Sequence, residues 1–538
     1  MSNKLFYGDN LAVLRESIAT ESVDLVYLDP PFNSNANYNV LFKAPDGEQS
    51  AAQIEAFEDT WHWNESAERA FDEVVTGPHS DASIMLRAMR SALGENDMMA
   101  YLAMMAVRLI ELHRVLKQTG SLYLHCDSTA SHYLKLLLDG IFGNETYRNE
   151  IIWKRRVGMS SAVHDSNRFG SITDTILYYA KTEEAKFNPQ YNISDPDYQK
   201  YIEERFTNVD PDGRRYQATS LVNPAPRPNL RYEYKGYAPP PNGWMISKEK
   251  MTAWDKDGRI YFPKDPGGRL RRKSYADELR GMPVQNLWID IQELNSQAQE
   301  RLGYPTQKPI ALLDRIVSAS SNIGDVVLDP FCGCGTSIHS AQKLGRQWIG
   351  IDVTHLAIGL VERRLKEAFP GIAFEVHGTP TDVAGARDLA ERDKHEFQKW
   401  ITGTIGAQPY KGGKKGMDRG IDGYLHFRDA EKKPQFAIVS VKGGGIKSGD
   451  VRDLKGTMER EKAALGLFLS LNPPTREMER EAASAGIYET GGQKVPRLQI
   501  LTAAQILDGR RPQLPFGHSE GFKKAAPEKL MGNQGKLL

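Results

Sequence analysis

Two short segments, far apart in the chain, carry residue types that could cooperate in one reaction. Asp29-Pro30-Pro31-Phe32 follows the apolar run Val23–Leu28, and Asp329-Pro330-Phe331-Cys332-Gly333-Cys334-Gly335-Thr336 follows Val326–Leu328. In the first, the side chain of Asp29 and a main-chain carbonyl at Pro30 can both accept hydrogen bonds from one amino group. That double contact engages the amine's protons and leaves its lone pair aimed at an electrophile. Pro30 and Pro31 fix φ and remove N–H donors that would compete for the same carbonyls. The ring of Phe32 can stack on a planar group such as an extruded base.

In the second segment, Gly333 and Gly335 remove side chains so that backbone N–H groups can approach a ligand, and a helix N-terminus follows at Thr336-Ser337. One strand–helix unit later, Trp348-Ile349-Gly350-Ile351-Asp352 puts a carboxylate at a strand tip, where a nucleoside-binding sheet keeps its ribose acceptor. The loop lacks a Gly-Lys-Ser/Thr phosphate cradle, which disfavours an ATPase. A dinucleotide would prefer a third glycine, whereas a charged sulfonium nucleoside without phosphate needs neither feature. Taken singly, each loop reads more readily as an ordinary turn. Their pairing favours alkylation of an amine. No covalent nucleophile is required for that, so the rate would come from positioning and electrostatics.

The elements around these loops must hold them at one edge of a sheet. Lys4–Tyr7 and Val23–Leu28 read as strands around the helix Asn10–Ile18, and Met98–Lys117 reads as a strong amphipathic helix. Ser121–His125 (strand), Ser128–Phe142 (helix) and Thr173–Tyr179 (strand) continue the alternation. It resumes at Ala311–Ser321, Val326–Leu328, Ser337–Leu344, Gln347–Ile351 and His355–Phe369. This predicts an α/β fold with a Rossmann-like, doubly wound and mostly parallel sheet. Its halves are residues 1–182 and 304–377, interrupted by an irregular stretch, 183–303, rich in proline, aromatic and basic residues. A smaller α/β domain is expected over 385–515.

The chain has 538 residues and a formal net charge of zero, so several domains are expected and no global field draws it to nucleic acid. Any such binding must use local clusters: Lys154-Arg155-Arg156, Arg214-Arg215, Arg269 with Arg271-Arg272-Lys273, and Lys411 with Lys414-Lys415. The bland alternative for each is a solvated face. Cys126, Cys332 and Cys334 cannot make a disulfide framework, and the Cys332/Cys334 pair has no second ligand pair at zinc spacing. With no signal-peptide core at the N-terminus and no bilayer-length apolar run, the expectation is a soluble cytoplasmic protein without membrane partners.

Residues 1–370 resemble the amino-group DNA methyltransferases that use S-adenosylmethionine. Asp29-Pro30-Pro31-Phe32 resembles their catalytic tetrapeptide, and Asp329–Thr336 resembles their Phe-x-Gly-x-Gly donor loop. The order of catalytic motif, variable region and donor loop is that of the β group, closest to type III modification-subunit-like and solitary adenine enzymes. Tyr304-Pro305-Thr306-Gln307-Lys308-Pro309 matches the segment before the donor strand, which the resemblance places at the donor's methionine end. Phe6-Tyr7-Gly8-Asp9-Asn10 resembles the strand tip near the donor adenine, and Asp352 the ribose-binding acid. The implied donor-binding set is Asp9, Lys308, Asp329, Phe331, Gly333, Gly335, Thr336 and Asp352. The resemblance associates Asp at position 29 with adenine N6 and Ser with cytosine N4. It implies duplex DNA as substrate and makes 183–303 the target-recognition region, with Arg227, Arg231, Trp244, Lys248 and Arg271 as candidate contacts. Methyl transfer needs no metal.

Farther on, Glu396–Ile405 reads as a helix, and Gly420-Ile421-Asp422-Gly423 precedes strands Tyr424–Phe427 and Phe436–Val441, closed by Lys442. This resembles the Mrr-like branch of the PD-(D/E)xK nucleases, which implies Asp422 as a Mg²⁺ ligand and Lys442 as an aid to the attacking water. The family carries Glu or Gln where this chain has Ser440, a poor ligand for a hard cation. Glu396 could supply the missing carboxylate. Three readings therefore stand: an adenine-specific DNA methyltransferase with an accessory or docking domain, a fused enzyme that also cuts DNA with Mg²⁺, and a non-catalytic DNA-binding module. A separate restriction subunit or self-association is the expected protein partnership.

Overall fold

The computed structural model describes residues 2–31, 62–155, 169–265, 267–295, 298–302, 304, 306–410, 420–431, 433–515 and 525–528, with backbone alone at 38–40, 54–57 and 408–409. The chain divides into two compact units, one made of Met1–Asn188 with Asn286–Leu538 and one of Pro189–Gln285.

The first unit is built on nine strands: β1 (Lys4–Tyr7), β2 (Val23–Leu28), β3 (Leu116–Cys126), β4 (Tyr147–Lys154), β5 (Thr173–Ala180), β6 (Leu287–Trp288), β7 (Val326–Asp329), β8 (Gln347–Asp352) and β9 (Glu375–His377). They lie in the order β6-β4-β5-β3-β2-β7-β8-β1-β9. All neighbours are parallel except β5, which runs antiparallel to both β3 and β4. Every residue of β2 and β7 is buried, as expected for central strands covered on both faces by helices.

The helices that matter for the site are α1 (Asn10–Ser17), α2 (Asp97–Val115), α3 (Ser131–Phe142), α4 (Ile310–Ser320), α5 (Thr336–Lys343) and α6 (His355–Ala368). Leu14, Met99, Leu109, Leu134, Leu138 and Ile351 belong to the core these helices share with the sheet. Two helices, Glu65–Thr76 and Ser80–Leu93, and the strand β4 lie where the sequence reading made no assignment.

One pairing brings the distant loops together. β2 and β7 are parallel neighbours, with Val327 opposite Leu25 and Leu328 opposite Val26. The buried carboxylate of Asp24 fixes that register by accepting the Val326 N–H at 2.9 Å. Parallel neighbours end at the same sheet edge, so the segments after Leu28 and after Leu328 emerge side by side.

The second unit contains a four-stranded antiparallel sheet of Asn208–Val209, Arg215–Ser220, Arg271–Tyr275 and Ile260–Tyr261. Its core is Leu221, Tyr234, Trp244, Met251, Ile260 and Leu270.

The C-terminal part of the first unit carries a separate five-stranded sheet: β10 (Gln408–Pro409), β11 (Gly423–Arg428), β12 (Pro434–Lys442), β13 (Leu465–Ser470) and β14 (Leu498–Thr502), ordered as numbered. Helices α7 (Lys394–Thr404) and α8 (Ser448–Arg460) belong to it.

Candidate active site

At the carboxyl ends of β2 and β7 a cavity of about 840 Å³, counted out to its open mouth, is lined by both loops. Asp29, Pro30 and Pro31 come from the first, and Asp329, Phe331, Gly333 and Thr336 from the second. Tyr304 and Lys308 enter from the segment before α4, and Asp352 from the tip of β8. Phe32, the last residue of the first motif, lies outside the described residues.

The donor loop is shaped by positive φ angles, +49° at Gly333 and +72° at Gly335. A Cβ on Gly335 would come within 2.8 Å of Val361 on α6, so both space and conformation demand glycine there. The expectation that these glycines offer N–H groups to a ligand needs correction. The Gly333 N–H donates to Asp352 Oδ2 at 2.9 Å, and that of Gly335 to the Cys332 carbonyl at 2.7 Å. The loop is thus wired to the neighbouring strand tip, and glycine serves its path rather than a cradle of free donors. Arg364, buried on α6, staples it from behind through the Cys334 carbonyl (2.9 Å) and Thr336 Oγ1 (3.2 Å).

Three carboxylates surround the cavity. Asp329 accepts from the Phe331 N–H at 3.0 Å and from the Ser337 hydroxyl. Burial pushes it up to about 7; those two hydrogen bonds oppose the rise, and the charges of Asp29 and Asp352 add to it. Asp352 accepts from Thr354 N–H (2.9 Å) and Oγ1 (2.8 Å) besides Gly333, yet burial still lifts it to about 6. Asp29, the third, accepts from Lys308 Nζ at 2.6 Å across 279 positions of sequence. Lys308 is the one cation among the described lining residues. An excess of carboxylate suits a cationic sulfonium ligand, and Asp352 at the strand tip, with three of its roughly four lone-pair sites already used, can accept one ribose hydroxyl. Burial raises the thiols of Cys332 and Cys334, which removes them as nucleophiles.

Asp9 is not brought into this cavity. Its Oδ1 caps α1 by accepting the Leu11 N–H at 2.8 Å, and its Oδ2 pairs with buried Arg108 at 2.9 Å. Asn10, beside it, reaches the Pro330 carbonyl at 2.8 Å and so ties α1 to the donor loop. Sequence reasoning missed Tyr27, which lines the cavity, with its hydroxyl 3.0 Å from His125 Nδ1; His125 Nε2 lies 3.1 Å from Asp174. The alternation of β2 could have flagged Tyr27, which shares a face with Asp29.

In the second unit, Arg227, Arg231, Lys248 and Arg271 are exposed, whereas Trp244 is 1% exposed. The Trp244 ring forms the centre of that unit's core and its indole N–H donates to the Tyr232 carbonyl at 2.8 Å, so it cannot serve as a stacking platform.

In the C-terminal sheet, Asp422 Oδ1 accepts from Gln398 Nε2 at 2.7 Å and Oδ2 from the Val441 N–H at 2.6 Å. Ser440 is buried, and Lys442 lies 3.7 Å from Asp450. Glu396 does not join them. It accepts from the Tyr7 hydroxyl at the tip of β1 and lies 3.8 Å from His355 at the start of α6. The α7 side chain that faces Asp422 is the neutral Gln398. No group of three or more metal-holding side chains occurs among the described residues, and no described helix is long and apolar enough to cross a membrane.

Residues 23–362 match the N6/N4 DNA methylase family, and residues 394–508 match a family described as a NACHT-associated inactive restriction endonuclease. The chain is 30% identical over 371 residues to the type II methyltransferase M.EcaI of Enterobacter cloacae, covering 68% of this chain and 69% of that protein. It is 28% identical over 364 residues to the Mod subunit of the type III restriction-modification enzyme StyLTI of Salmonella typhimurium, covering 64% of this chain but about half, 51%, of that subunit. It is 25% identical over 364 residues to the DNA adenine methyltransferase YhdJ of Escherichia coli, covering 68% and 83%.

Proposed function

This chain belongs to the N6/N4 DNA methylase family, and we propose that it methylates the exocyclic N6 amine of adenine at specific sites in duplex DNA, in the cytoplasm. The observation that carries the proposal is the single cavity shared by Asp29 and the donor loop. S-adenosylmethionine, when bound, supplies an electrophilic methyl group on a positively charged sulfur. Asp352, Asp329 and Phe331 would hold it: an acceptor for one ribose hydroxyl, a carboxylate that sets the loop, and an apolar wall. Asp29 then accepts an N–H of the flipped base, so that the nitrogen lone pair is directed inward. Pro30 and Pro31 keep the local backbone free of N–H donors that would bind the carbonyl acceptor instead. Burial of the cavity strengthens these contacts by excluding water.

Adenine is favoured over cytosine by Asp29 at the first motif position and by the likeness to the Escherichia coli relative, which is named a DNA adenine methyltransferase. The unit Pro189–Gln285 is the proposed reader of sequence, through exposed Arg227, Arg231, Lys248 and Arg271. The C-terminal domain is proposed to dock DNA or protein without cutting. The neutral Gln398 and Ser440 beside Asp422, together with a family described as inactive, support this over Mg²⁺-dependent cleavage. A separate restriction subunit is the partner to seek, since the Salmonella relative is by name a Mod subunit. Expression in a methylation-free host with single-molecule sequencing of its DNA tests the proposal. N6-methyladenine at one recurring motif is expected; N4-methylcytosine, or no modified base, contradicts it.

A further inference from the structure

We propose that Lys308 is a positioning residue for methyl transfer, which acts by clamping one oxygen of Asp29 and rests on the role just given to that carboxylate. The resemblance assigned Lys308 to the donor's methionine end. The geometry points elsewhere: Nζ lies 2.6 Å from Asp29 Oδ2, and the two side chains are 13% and 17% exposed. A charge-assisted contact of this length, largely shielded from water, is among the stronger hydrogen bonds a side chain makes. It holds Oδ2 and thereby sets the plane of the carboxylate, turning Oδ1 toward an incoming amine.

Two further observations fit a clamp. First, Lys308 is held rigidly. It follows buried Gln307, whose carboxamide donates to the Glu300 carbonyl at 2.6 Å and accepts the Leu302 N–H at 2.8 Å. Glu300 in turn accepts the Ile310 N–H at 3.2 Å, at the start of α4. The lysine therefore projects from a braced turn. Second, it is the one cation among the described residues around a cavity with three carboxylates. An unclamped Asp29 would face the like charge of Asp329 without a counter-ion, which favours its swinging out of line. Misplacement of a reacting group by about 1 Å costs on the order of 100-fold in rate.

The role separates cleanly from donor binding. Lys308→Met, Lys308→Arg and Asp29→Ala variants of the full chain are compared for S-adenosylmethionine affinity by calorimetry and for methyl transfer to unmethylated duplex DNA at saturating donor. A clamp predicts that Lys308→Met loses about 100-fold in kcat with donor affinity within about threefold, and that Lys308→Arg restores most of the rate. Direct donor binding by each variant certifies its fold. The inference is overturned if Lys308→Met keeps the wild-type kcat at saturating donor, whether or not its donor affinity drops. Asp29→Ala at wild-type activity would instead overturn the role of Asp29 itself, so the two failures are told apart.

Discussion

At the scale of residues, burial raises the carboxyl of Asp329 to about 7 and that of Asp352 to about 6, so binding of a cationic donor at the proposed site is expected to be proton-linked. Both are raised above the ordinary carboxylate range, chiefly by burial, so each is partly protonated in mildly acidic solution. A cationic donor favours their ionised forms and so lowers both values, which means binding releases protons. By linkage, donor affinity must rise as pH climbs from about 5.5 to about 8, by about tenfold for each unit that one group is shifted. Calorimetry in buffers of different ionisation enthalpy checks this; an affinity flat across that range, with no proton release, contradicts it. Asp29, Asp329 and Asp352 were legible because each ends an apolar run. The partner of Lys308 was not, since the contact joins residues 279 positions apart. Trp244 misled for a related reason: an aromatic in a basic, irregular stretch reads as a platform, and only the folded unit reveals that it is that unit's own core.

At the scale of elements, the central strands were easy to read. Parallel strands buried on both faces read as near-continuous apolar runs, and β2, β7 and β8 come close, with Asp24 the one interruption inside β2. The edge of the sheet was harder. In β4, buried and half-exposed residues mix, with burial confined to Ile151 and Trp153, and its antiparallel partner β5 departs from the expected parallel order. The donor loop shows how far motif reading goes. Its glycines were identified, but their N–H groups face Asp352 and Cys332 rather than a ligand. Gly335→Ala follows as a test of that geometry. A left-handed conformation costs an L-residue roughly 1–2 kcal/mol, and the Cβ would press on Val361 at 2.8 Å. The variant should lose at least that much stability and weaken donor binding; a thermal melt and a donor titration indistinguishable from wild type would show the loop to be looser than described.

At the scale of the whole molecule, the chain combines a methylase sheet, an inserted basic unit and a nuclease-like sheet. The third component is joined to the donor side of the first through α7, where Glu396 meets Tyr7 and His355. The sequence suggested Glu396 as a metal ligand because a helical carboxylate near Asp422 was needed. The helix turns it the other way and presents Gln398, a difference of two positions that only the packed helix phase decides. Incubation with unmethylated DNA and Mg²⁺ or Mn²⁺ should therefore leave the DNA intact, and cleavage that disappears in Lys442→Ala would reverse this conclusion.

The proposed methyl transfer depends on one meeting point, Asp29 beside the donor loop after β7. Transfer of a tritiated methyl group from S-adenosylmethionine to unmethylated duplex DNA by Asp29→Ala, with donor affinity measured on the same preparation, tests it most directly. Loss of about 100-fold or more in transfer with donor binding nearly intact is the expected result. Transfer at a rate comparable to wild type would contradict it.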